Sequence, residues 1–217
     1  MAHLPLAVLI SGRGSNMVAI AEACAEGRID ASICSVISDQ PNAGGLTRAR
    51  DLGLNTRSVP FRDFADRNRF EQVLAEAIDE SQPKVVVLAG FMRILSANFV
   101  EAYLGRMLNI HPSLLPKYRG LHTHRRVLEA GDSEHGATVH FVTAELDGGP
   151  IVLQSKVRVQ PEDSEATLSA RVQATEYIIY PRVLGWMAGQ RLEWRQGGAW
   201  FDGRPLDTPF VEKFGDS

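Results

Sequence analysis

The sequence has few cysteines and no long apolar run. Its 217 residues include two cysteines, Cys24 and Cys34, which form neither a C-x-x-C motif nor a disulfide framework. Both lie in apolar stretches, so we interpret them as buried free thiols of a reducing compartment. No apolar run reaches the ~18 residues that span a membrane, and the N-terminus lacks the features of a signal peptide. The sequence predicts a cytoplasmic protein that has no membrane partner.

An excess of positive charge is also missing. The chain carries 23 Lys and Arg against 26 Asp and Glu, for a formal net charge of -3, and it has no basic block. Nucleic-acid binding requires a basic surface, so we expect no nucleic acid as a partner. A local site can still hold a small anion. The length and the 44% apolar content suit one α/β domain, which we place at residues 1–217.

Strand and helix patterns alternate over the first 110 residues. Apolar runs predict strands, and i, i+3, i+4 spacing predicts helices after Met17, over Leu46–Leu52 and over Phe70–Ile78. The alternation favours a parallel sheet with right-handed crossovers. The predicted strands are Leu6–Ile10, Ile33–Ile37, Thr56–Pro60, Val85–Ala89 and Met107–His111.

The second half of the chain has longer elements. Strands are predicted at Thr138–Thr143 and Ile151–Val159, and a long helix from Ser164 to Gly189 that Pro181 should kink or divide. Two short strands around a Gly-Gly turn predict a C-terminal hairpin. The expected fold is α/β: a Rossmann-like, mostly parallel sheet flanked by helices, with a long C-terminal helix and hairpin.

The loop Ser11–Asn16 joins the first strand to a helix and contains two glycines. Helix N-termini favour anions, so a phosphate site is reasonable here. The loop is not a Walker A motif, and Met17 occupies the third glycine position of a dinucleotide fingerprint. Asp39 could bind a ribose, so a dinucleotide site stays open. A tight turn with Ser15 or Asn16 as the N-cap is the structural alternative.

Asn109 and His111 alternate along one strand, so their side chains lie on the same face. Ligands bind beyond the carboxyl ends of parallel strands, where an Asn donor and an imidazole can stabilise an oxyanion and move protons. A hydrogen-bonded core pair is the alternative. Asp147, in a glycine-containing loop, is either a turn aspartate or a partner that keeps His111 charged.

The remaining histidines raise a metal hypothesis. His122 and His124 could bind a metal with His111 or His140 as a third ligand. No carboxylate or cysteine lies at a familiar spacing around them, so we expect no metal site. His135 is predicted to be exposed.

Five segments, in chain order, resemble the folate-dependent phosphoribosylglycinamide formyltransferase family. The resemblance implies transfer of a formyl group from 10-formyltetrahydrofolate to the amine of glycinamide ribonucleotide in de novo purine (IMP) biosynthesis, by direct attack through a tetrahedral intermediate. It implies no metal, nicotinamide or ATP, and it leaves monomer and homodimer open. The segments are Ser11–Asn16, Val85–Leu95, Leu108–Lys117, Gly120–Arg125 and His140–Pro150.

The same resemblance assigns roles to individual residues. Residues 1–106 would form a phosphate-binding half and residues 107–217 a folate-binding and catalytic half. The implied catalytic residues are Asn109, His111 and Asp147. The implied ribonucleotide-binding residues are Gly14, Ser15, Asn16, Gln173 and Glu176. The implied folate-binding residues are Arg67, Met92, Arg93, Ile94, Leu95, Asn109, Thr143, Ala144, Glu145, Leu146 and Asp147.

Four other functions stay open at this point. Formyltetrahydrofolate hydrolase and methionyl-tRNA formyltransferase resemble this chain in the same Asn, His and Asp, although the second would need a tRNA-binding surface. A nicotinamide oxidoreductase would bind its cofactor at Gly12–Asn16. A non-catalytic nucleotide-binding module would not need Asn109, His111 or Asp147.

Overall fold

The computed structural model describes residues 3–215, so the predicted domain bounds at 1 and 217 lie outside the described residues. The helices are α1 (Ser15–Ala25), α2 (Gly44–Asp51), α3 (Arg67–Asp79), α4 (Ala97–Ala102), α5 (Thr123–Ala130) and α6 (Glu165–Ala188), with a short 3-10 turn at Phe61–Asp63. The strands are β1 (Leu4–Ile10), β2 (Ala31–Ser38), β3 (Thr56–Ser58), β4 (Val85–Leu88), β5 (Met107–His111), β6 (Glu134–Phe141), β7 (Ile151–Arg158), β8 (Leu192–Arg195), β9 (Gly198–Phe201), β10 (Arg204–Pro205) and β11 (Phe210–Phe214).

The main sheet has the strand order β11-β7-β6-β5-β4-β1-β2-β3. Five of its pairings are parallel, and only β5 with β6 and β6 with β7 are antiparallel. A small antiparallel sheet, β10-β9-β8, contains the predicted C-terminal hairpin. The expectation of a mostly parallel α/β sheet with a long C-terminal helix and a hairpin is confirmed.

Both faces of the central strands are buried, which explains their continuous apolar sequences. Leu6, Val8 and Ile10 of β1 belong to the core on one face, where α1 and α6 pack. Ala7 and Leu9 belong to the core on the other face, under α3. The period of two along β1 therefore divides its side chains between two helical layers.

Helix α6 is continuous through Pro181, so the prediction of a boundary there is wrong. Ile179, Tyr180, Val183 and Leu184 around the proline are fully buried against the sheet. Tertiary burial of this kind stabilises a helix more than its intrinsic propensity does. The hydroxyl of Tyr180 also donates to the carbonyls of the neighbouring strands β4 and β5, 3.1 Å from Leu88 and 3.0 Å from Leu108.

The structure also tests three predictions, which concern the exposure of His135, the burial of the two cysteines and membrane-spanning helices. His135 is wrongly predicted to be exposed, because it lies on β6 with 1% of its surface accessible. Cys24 and Cys34 are free, as predicted, but they are only partly buried. In the described part of the chain, no helix combines the length and the hydropathy that a membrane span needs.

Candidate active site

Two adjoining clefts open at the carboxyl ends of the central parallel strands, where ligands bind in open α/β sheets. The first, about 360 Å³, lies between the glycine loop Ser11–Asn16, Gly90 and α6. The second contains Asn109, His140 and the loop from Thr143 to Asp147. Four regions therefore meet at one edge of the sheet: the loop Ser11–Asn16, the segment Gly90–Leu95, the end of β5 and the loop that carries Asp147.

The glycine loop turns directly into α1. Gly14 is the N-cap in the left-handed region, with φ of 70°, and no side chain caps the helix. The alternative in which Ser15 or Asn16 is the N-cap is therefore wrong. A Cβ atom on Gly14 would lie 2.8 Å from Cα of Gly45, the second residue of α2. Glycine is required here both by the backbone conformation and by this close approach. The first N–H groups of α1 consequently face the cleft without side-chain partners.

Asn16 and Glu176 form the floor of the first cleft. Nδ2 of Asn16 donates to Oε2 of Glu176 at 2.8 Å, and both residues are buried. Burial raises the pKa of Glu176 from its ordinary value of 4.5 to about 7, and the hydrogen bond from Asn16 opposes part of that rise. Oδ1 of Asn16 is buried and has no partner within residues 3–215. Gln173, one turn earlier on α6, is exposed at the same cleft.

His111 lies between two hydrogen-bond acceptors. Its Nδ1 is 3.5 Å from Oδ2 of Asp147, and its Nε2 is 2.9 Å from the carbonyl oxygen of Tyr118. The side chains of His111 and Asp147 are each only 8% exposed. Each ring nitrogen of His111 therefore faces a hydrogen-bond acceptor. The same Asp147 oxygen accepts the N–H of Gly120 at 2.9 Å.

Asn109 has a fixed partner in His140, which the sequence indicates only as a possible metal ligand. Burial lowers the pKa of His140, so its ring is neutral. Its Nδ1 lies 2.9 Å from the carbonyl oxygen of Phe141 and donates to it. Its Nε2 then accepts from Nδ2 of Asn109 at 3.2 Å. This contact fixes the orientation of the Asn109 amide and leaves its second amide hydrogen for a ligand.

The loop that carries Asp147 lies close against β6. Asp147 has φ of 49°, in the left-handed region. A Cβ atom on Gly149 would lie 1.9 Å from the carbonyl oxygen of Phe141, so only glycine permits this approach. Antiparallel pairing puts the end of β6, at Phe141, beside Leu108 near the start of β5. The loop after β6 then reverses direction, and the N–H of Phe141 donates to the carbonyl of Pro150 at 3.0 Å. This reversal brings Asp147 to His111.

The other candidate residues divide between the clefts. Arg93, Ile94, Leu95 and the whole segment from Thr143 to Asp147 line the second cleft, as expected of a shared pocket. Met92 instead lines the first cleft and is 66% exposed. Arg67 is exposed at the start of α3 and lines neither cleft.

The histidines considered for a metal site have other contacts. Nδ1 of His124 lies 2.9 Å from Nε2 of His135, and burial lowers the pKa of both rings, that of His135 to about 4. His122 is exposed at the start of α5. Within residues 3–215, no group of three or more His, Cys, Asp or Glu side chains is placed to hold a metal ion.

Asp39 does not face a ligand. Its side chain is fully buried and is hydrogen bonded to Ser11, Gln40 and Arg93. The ribose contact that a dinucleotide site would require is therefore not available at this residue.

The fold, the glycine loop and the Asn, His and Asp side chains at the strand ends define a formyltransferase. The chain belongs to the formyl transferase family, whose family model matches residues 4–184. It is similar to phosphoribosylglycinamide formyltransferase of Escherichia coli strain K12, with 53% identity over 201 residues that cover 93% of this chain and 95% of that protein. The corresponding enzyme of Haemophilus influenzae is 44% identical over the same shares of both chains.

The solved structures agree with this assignment. The structure of phosphoribosylglycinamide formyltransferase from Coxiella burnetii, in complex with CHES, matches with a TM-score of 0.93 and 47% identity, covering 97% of this chain and 99% of that one. Glycinamide ribonucleotide transformylase 1 from Symbiobacterium toebii matches with a TM-score of 0.88 and 40% identity, over 92% of this chain and 94% of that one. The predicted family is thereby confirmed.

Proposed function

We propose that this protein transfers the formyl group of 10-formyltetrahydrofolate to the amine of glycinamide ribonucleotide, in de novo purine biosynthesis in the cytoplasm. The observation that carries the proposal is the arrangement at the end of β5. Asn109 and Asp147 line the second cleft, Ile110 and Pro112 on either side of His111 line the first, and His111 contacts Asp147. A transferase for two substrates needs such a junction, because the reacting atoms must be held within contact distance. The names of the relatives supply the formyl acceptor, and the family resemblance implies the formyl donor.

The ribonucleotide is assigned to the first cleft. Its phosphate fits the N-terminus of α1, where unpaired N–H groups and the helix dipole favour an anion. Asn16 and Glu176 at the floor of this cleft, with Gln173 beside them, have oxygens and amides that suit ribose hydroxyls. The substrate amine would then point toward Asn109 and His111.

The folate is assigned to the second cleft. Leu88, Phe91 and Val100 contribute apolar surface to this cleft, and the segment from Arg93 to Leu95 also lines it. A flat heterocycle with several donors and acceptors suits such a pocket. The exposed apolar side chains of Ile94 and Leu146 at its rim would cover the middle of the ligand. Arg67, on the outside, would contact the glutamyl tail.

The chemical step needs oxyanion stabilisation and one proton transfer. The amine nitrogen attacks the formyl carbon, and the carbonyl oxygen becomes an oxyanion in the tetrahedral intermediate. The second amide hydrogen of Asn109 and the imidazolium of His111 would stabilise that oxyanion. Asp147 would keep His111 charged. A water molecule near Asp147 would carry a proton from the attacking nitrogen to N10 as the bond to the formyl carbon breaks.

The substrate assignment is tested by following the absorbance of a 10-formyl folate with and without glycinamide ribonucleotide. Deformylation that requires the ribonucleotide, with one formylated product per folate consumed, supports the proposal. Deformylation without the ribonucleotide would instead identify a hydrolase that uses the same three residues. Absence of reaction in both cases would direct the search to another formyl acceptor.

Asn109→Ala and His111→Ala should each lower kcat by about two to three orders of magnitude, because one removes an amide donor to the oxyanion and the other removes a nearby positive charge. Steady-state turnover of each variant, compared with circular dichroism of the same preparation, measures the effect. Asn98→Ala, which changes an exposed Asn on α4, is the matched control and should keep normal turnover. Near-normal kcat in folded Asn109→Ala and folded His111→Ala would contradict the proposed mechanism.

A further inference from the structure

A buried network joins the two clefts and centres on Asp39, which follows β2. Its side chain is fully buried. Oδ1 accepts from the hydroxyl of Ser11 at 2.5 Å, and Oδ2 accepts from Nε of Arg93 at 2.7 Å. Oδ2 also accepts from Nε2 of Gln40 at 3.0 Å. One carboxylate therefore receives donors from the loops that follow β1 and β4.

The hydroxyl of Ser11 extends the network into the segment after β4. It accepts the backbone N–H of Met92 at 2.8 Å while it donates to Asp39. The backbone N–H of Ser11 in turn donates to the carbonyl of Gly90 at 3.0 Å. Because its single hydrogen goes to Asp39, the hydroxyl presents a lone pair to Met92. Asp39 thus determines the direction of a hydrogen bond that it does not itself form.

Arg93 is held from two directions. Its guanidinium lies 4.4 Å above the ring of Phe61, and its Nε donates to Asp39. The backbone N–H of Phe61 donates to the carbonyl of Asp39 at 3.3 Å. A planar guanidinium between a carboxylate and an aromatic face has one preferred orientation. The Arg93 side chain therefore fixes where the backbone of its own segment lies.

The two ends of this network line different clefts. Ser11 and Met92 line the first cleft, whereas Arg93, with Ile94 and Leu95, lines the second. Asp39 lines neither. A buried carboxylate that is paired on both sides is costly to remove singly, because its partners are left without an acceptor.

We propose that Asp39 is a positioning residue that shapes both substrate clefts at once, by holding the segment from Gly90 to Leu95 against the glycine loop. The proposal rests on the proposed function, since it assigns the ribonucleotide to one cleft and the folate to the other. It assigns no direct ligand contact to Asp39. Its consequence is that one substitution outside both clefts weakens the binding of two chemically unrelated ligands.

Asp39→Ala removes the acceptor for both loops. We expect the affinity for glycinamide ribonucleotide and the affinity for a 10-formyl folate to fall together, each by about tenfold. Asp39→Asn separates the effect on ribonucleotide affinity from the effect on folate affinity. Its amide keeps one oxygen as an acceptor for Ser11 but presents N–H hydrogens to Arg93. In Asp39→Asn the ribonucleotide affinity should stay within about twofold of the parent, while the folate affinity falls about as far as in Asp39→Ala.

Calorimetric titration measures the two affinities separately, with each ligand added alone. Asp63→Asn is the matched control, since it changes a carboxylate that is 60% exposed on the neighbouring 3-10 turn. It should leave both affinities unchanged. Hydrogen exchange of the ligand-free protein provides a second readout. In Asp39→Ala, peptides that contain Ser11–Asn16 and Gly90–Leu95 should exchange faster, with the rest of the sheet unchanged.

The outcomes separate the role of Asp39 from the identity of the substrates. Loss of affinity for only one ligand in Asp39→Ala, or for neither, with unchanged exchange in both segments, would overturn the proposal. A parent protein that binds neither ligand would contradict the proposed function, while hydrogen exchange would still show whether Asp39 orders both segments. If Asp39→Ala does not fold, the isosteric Asp39→Asn provides the test, since it should lose affinity for the folate and keep affinity for the ribonucleotide.

Discussion

Among single residues, the site contains ionisable groups in opposite surroundings. His111 lies between two hydrogen-bond acceptors, the carboxylate of Asp147 and the carbonyl of Tyr118. Glu176 is buried and receives one hydrogen bond, from Asn16, so its surroundings disfavour its charged form. His140 is buried as a neutral ring and serves to orient an amide. Burial therefore disfavours the charged form of both Glu176 and His140.

Glu176 should make the stability of the protein depend on pH. Its pKa is about 7 in the folded protein and near 4.5 when unfolded, so its contribution is fully present below pH 4.5 and is lost as the pH rises through 7. The loss is roughly 3 kcal/mol at about 1.4 kcal/mol per pKa unit.

Urea unfolding at several pH values between 4 and 8 measures this contribution. The unfolding free energy of Glu176→Gln relative to the parent should increase by roughly 3 kcal/mol across that range, because the amide cannot ionise. Glu22→Gln, which alters an exposed carboxyl on α1, should show no such trend. A constant difference between Glu176→Gln and the parent would contradict the assignment.

Residue patterns in the sequence predict part of this site. The spacing of Asn109 and His111 on one strand places both side chains on one face, and the structure has them there. The resemblance supplies Asp147 as their partner. His140 is not predicted as the partner of Asn109, because that contact depends on the register between β5 and β6. Strand register across a long connection leaves no local signal in a single sequence.

At the scale of elements, the sequence predicts the strands and helices whose own residues carry a periodic apolar pattern. The strands β1, β4 and β5 and the helices α1 and α3 have buried faces with clear periodicity, and the sequence predicts them. Helix α4 is only six residues long, and β11 has two exposed apolar residues, Phe210 and Val211. Such elements are held by neighbours rather than by their own pattern, so sequence periodicity does not reveal them.

The contact between α2 and the glycine loop gives a prediction for an element rather than for a ligand-binding side chain. A Cβ atom on Gly45 would lie 2.5 Å from Cδ1 of Ile10 and 3.0 Å from Cα of Gly14. Gly45→Ala should push α2 away from the loop and weaken ribonucleotide binding by about tenfold, with folate affinity nearly unchanged.

Gly44→Ala is the matched control for that experiment. Gly44 precedes Gly45 on the same helix, and a Cβ atom there meets nothing within 4 Å. Alanine is a better helix former than glycine, so this variant should be at least as stable as the parent. Titration of the ribonucleotide into both variants tests whether the contact between Gly45 and the glycine loop matters for binding. Equal affinities would show that this contact does not shape the loop.

At the scale of the whole molecule, the site belongs to both halves of the chain. The first cleft takes Ser11–Asn16 from residues 1–106 and Gln173 and Glu176 from residues 107–217. The second cleft likewise combines Arg93 with Asn109. The division into a phosphate-binding half and a folate-binding half stays a prediction, and residues of both halves line each cleft.

The C-terminal elements should contribute stability without affecting turnover. Phe210 of β11 packs against Trp186 of α6 at 5.0 Å and Phe201 of β9 at 4.7 Å between ring centroids, and none of the three lines either cleft. Phe210→Ala should lower the unfolding free energy by about 1 to 2 kcal/mol.

Thermal unfolding and kcat measured on the same preparations test this separation. Phe210→Ala should melt several degrees lower than the parent with unchanged kcat. Val211→Ala, which alters the adjacent residue at 45% exposure, should change the melting temperature much less. A large loss of kcat in Phe210→Ala at temperatures where it is folded would mean that β11 influences the site.

The hydrogen bond between Asn16 and Glu176 has a consequence for the order of folding. It joins residues 160 positions apart, so the first cleft is complete only after α6 has packed beside α1, which lies near the other end of the chain. Contacts of such long sequence separation form late, because the chain loses the entropy of loop closure before the contact contributes any stabilising energy. During refolding, ribonucleotide binding should therefore return with the last kinetic phase. A fluorescent ribonucleotide would report the completion of the native state, whereas helical circular dichroism would respond earlier.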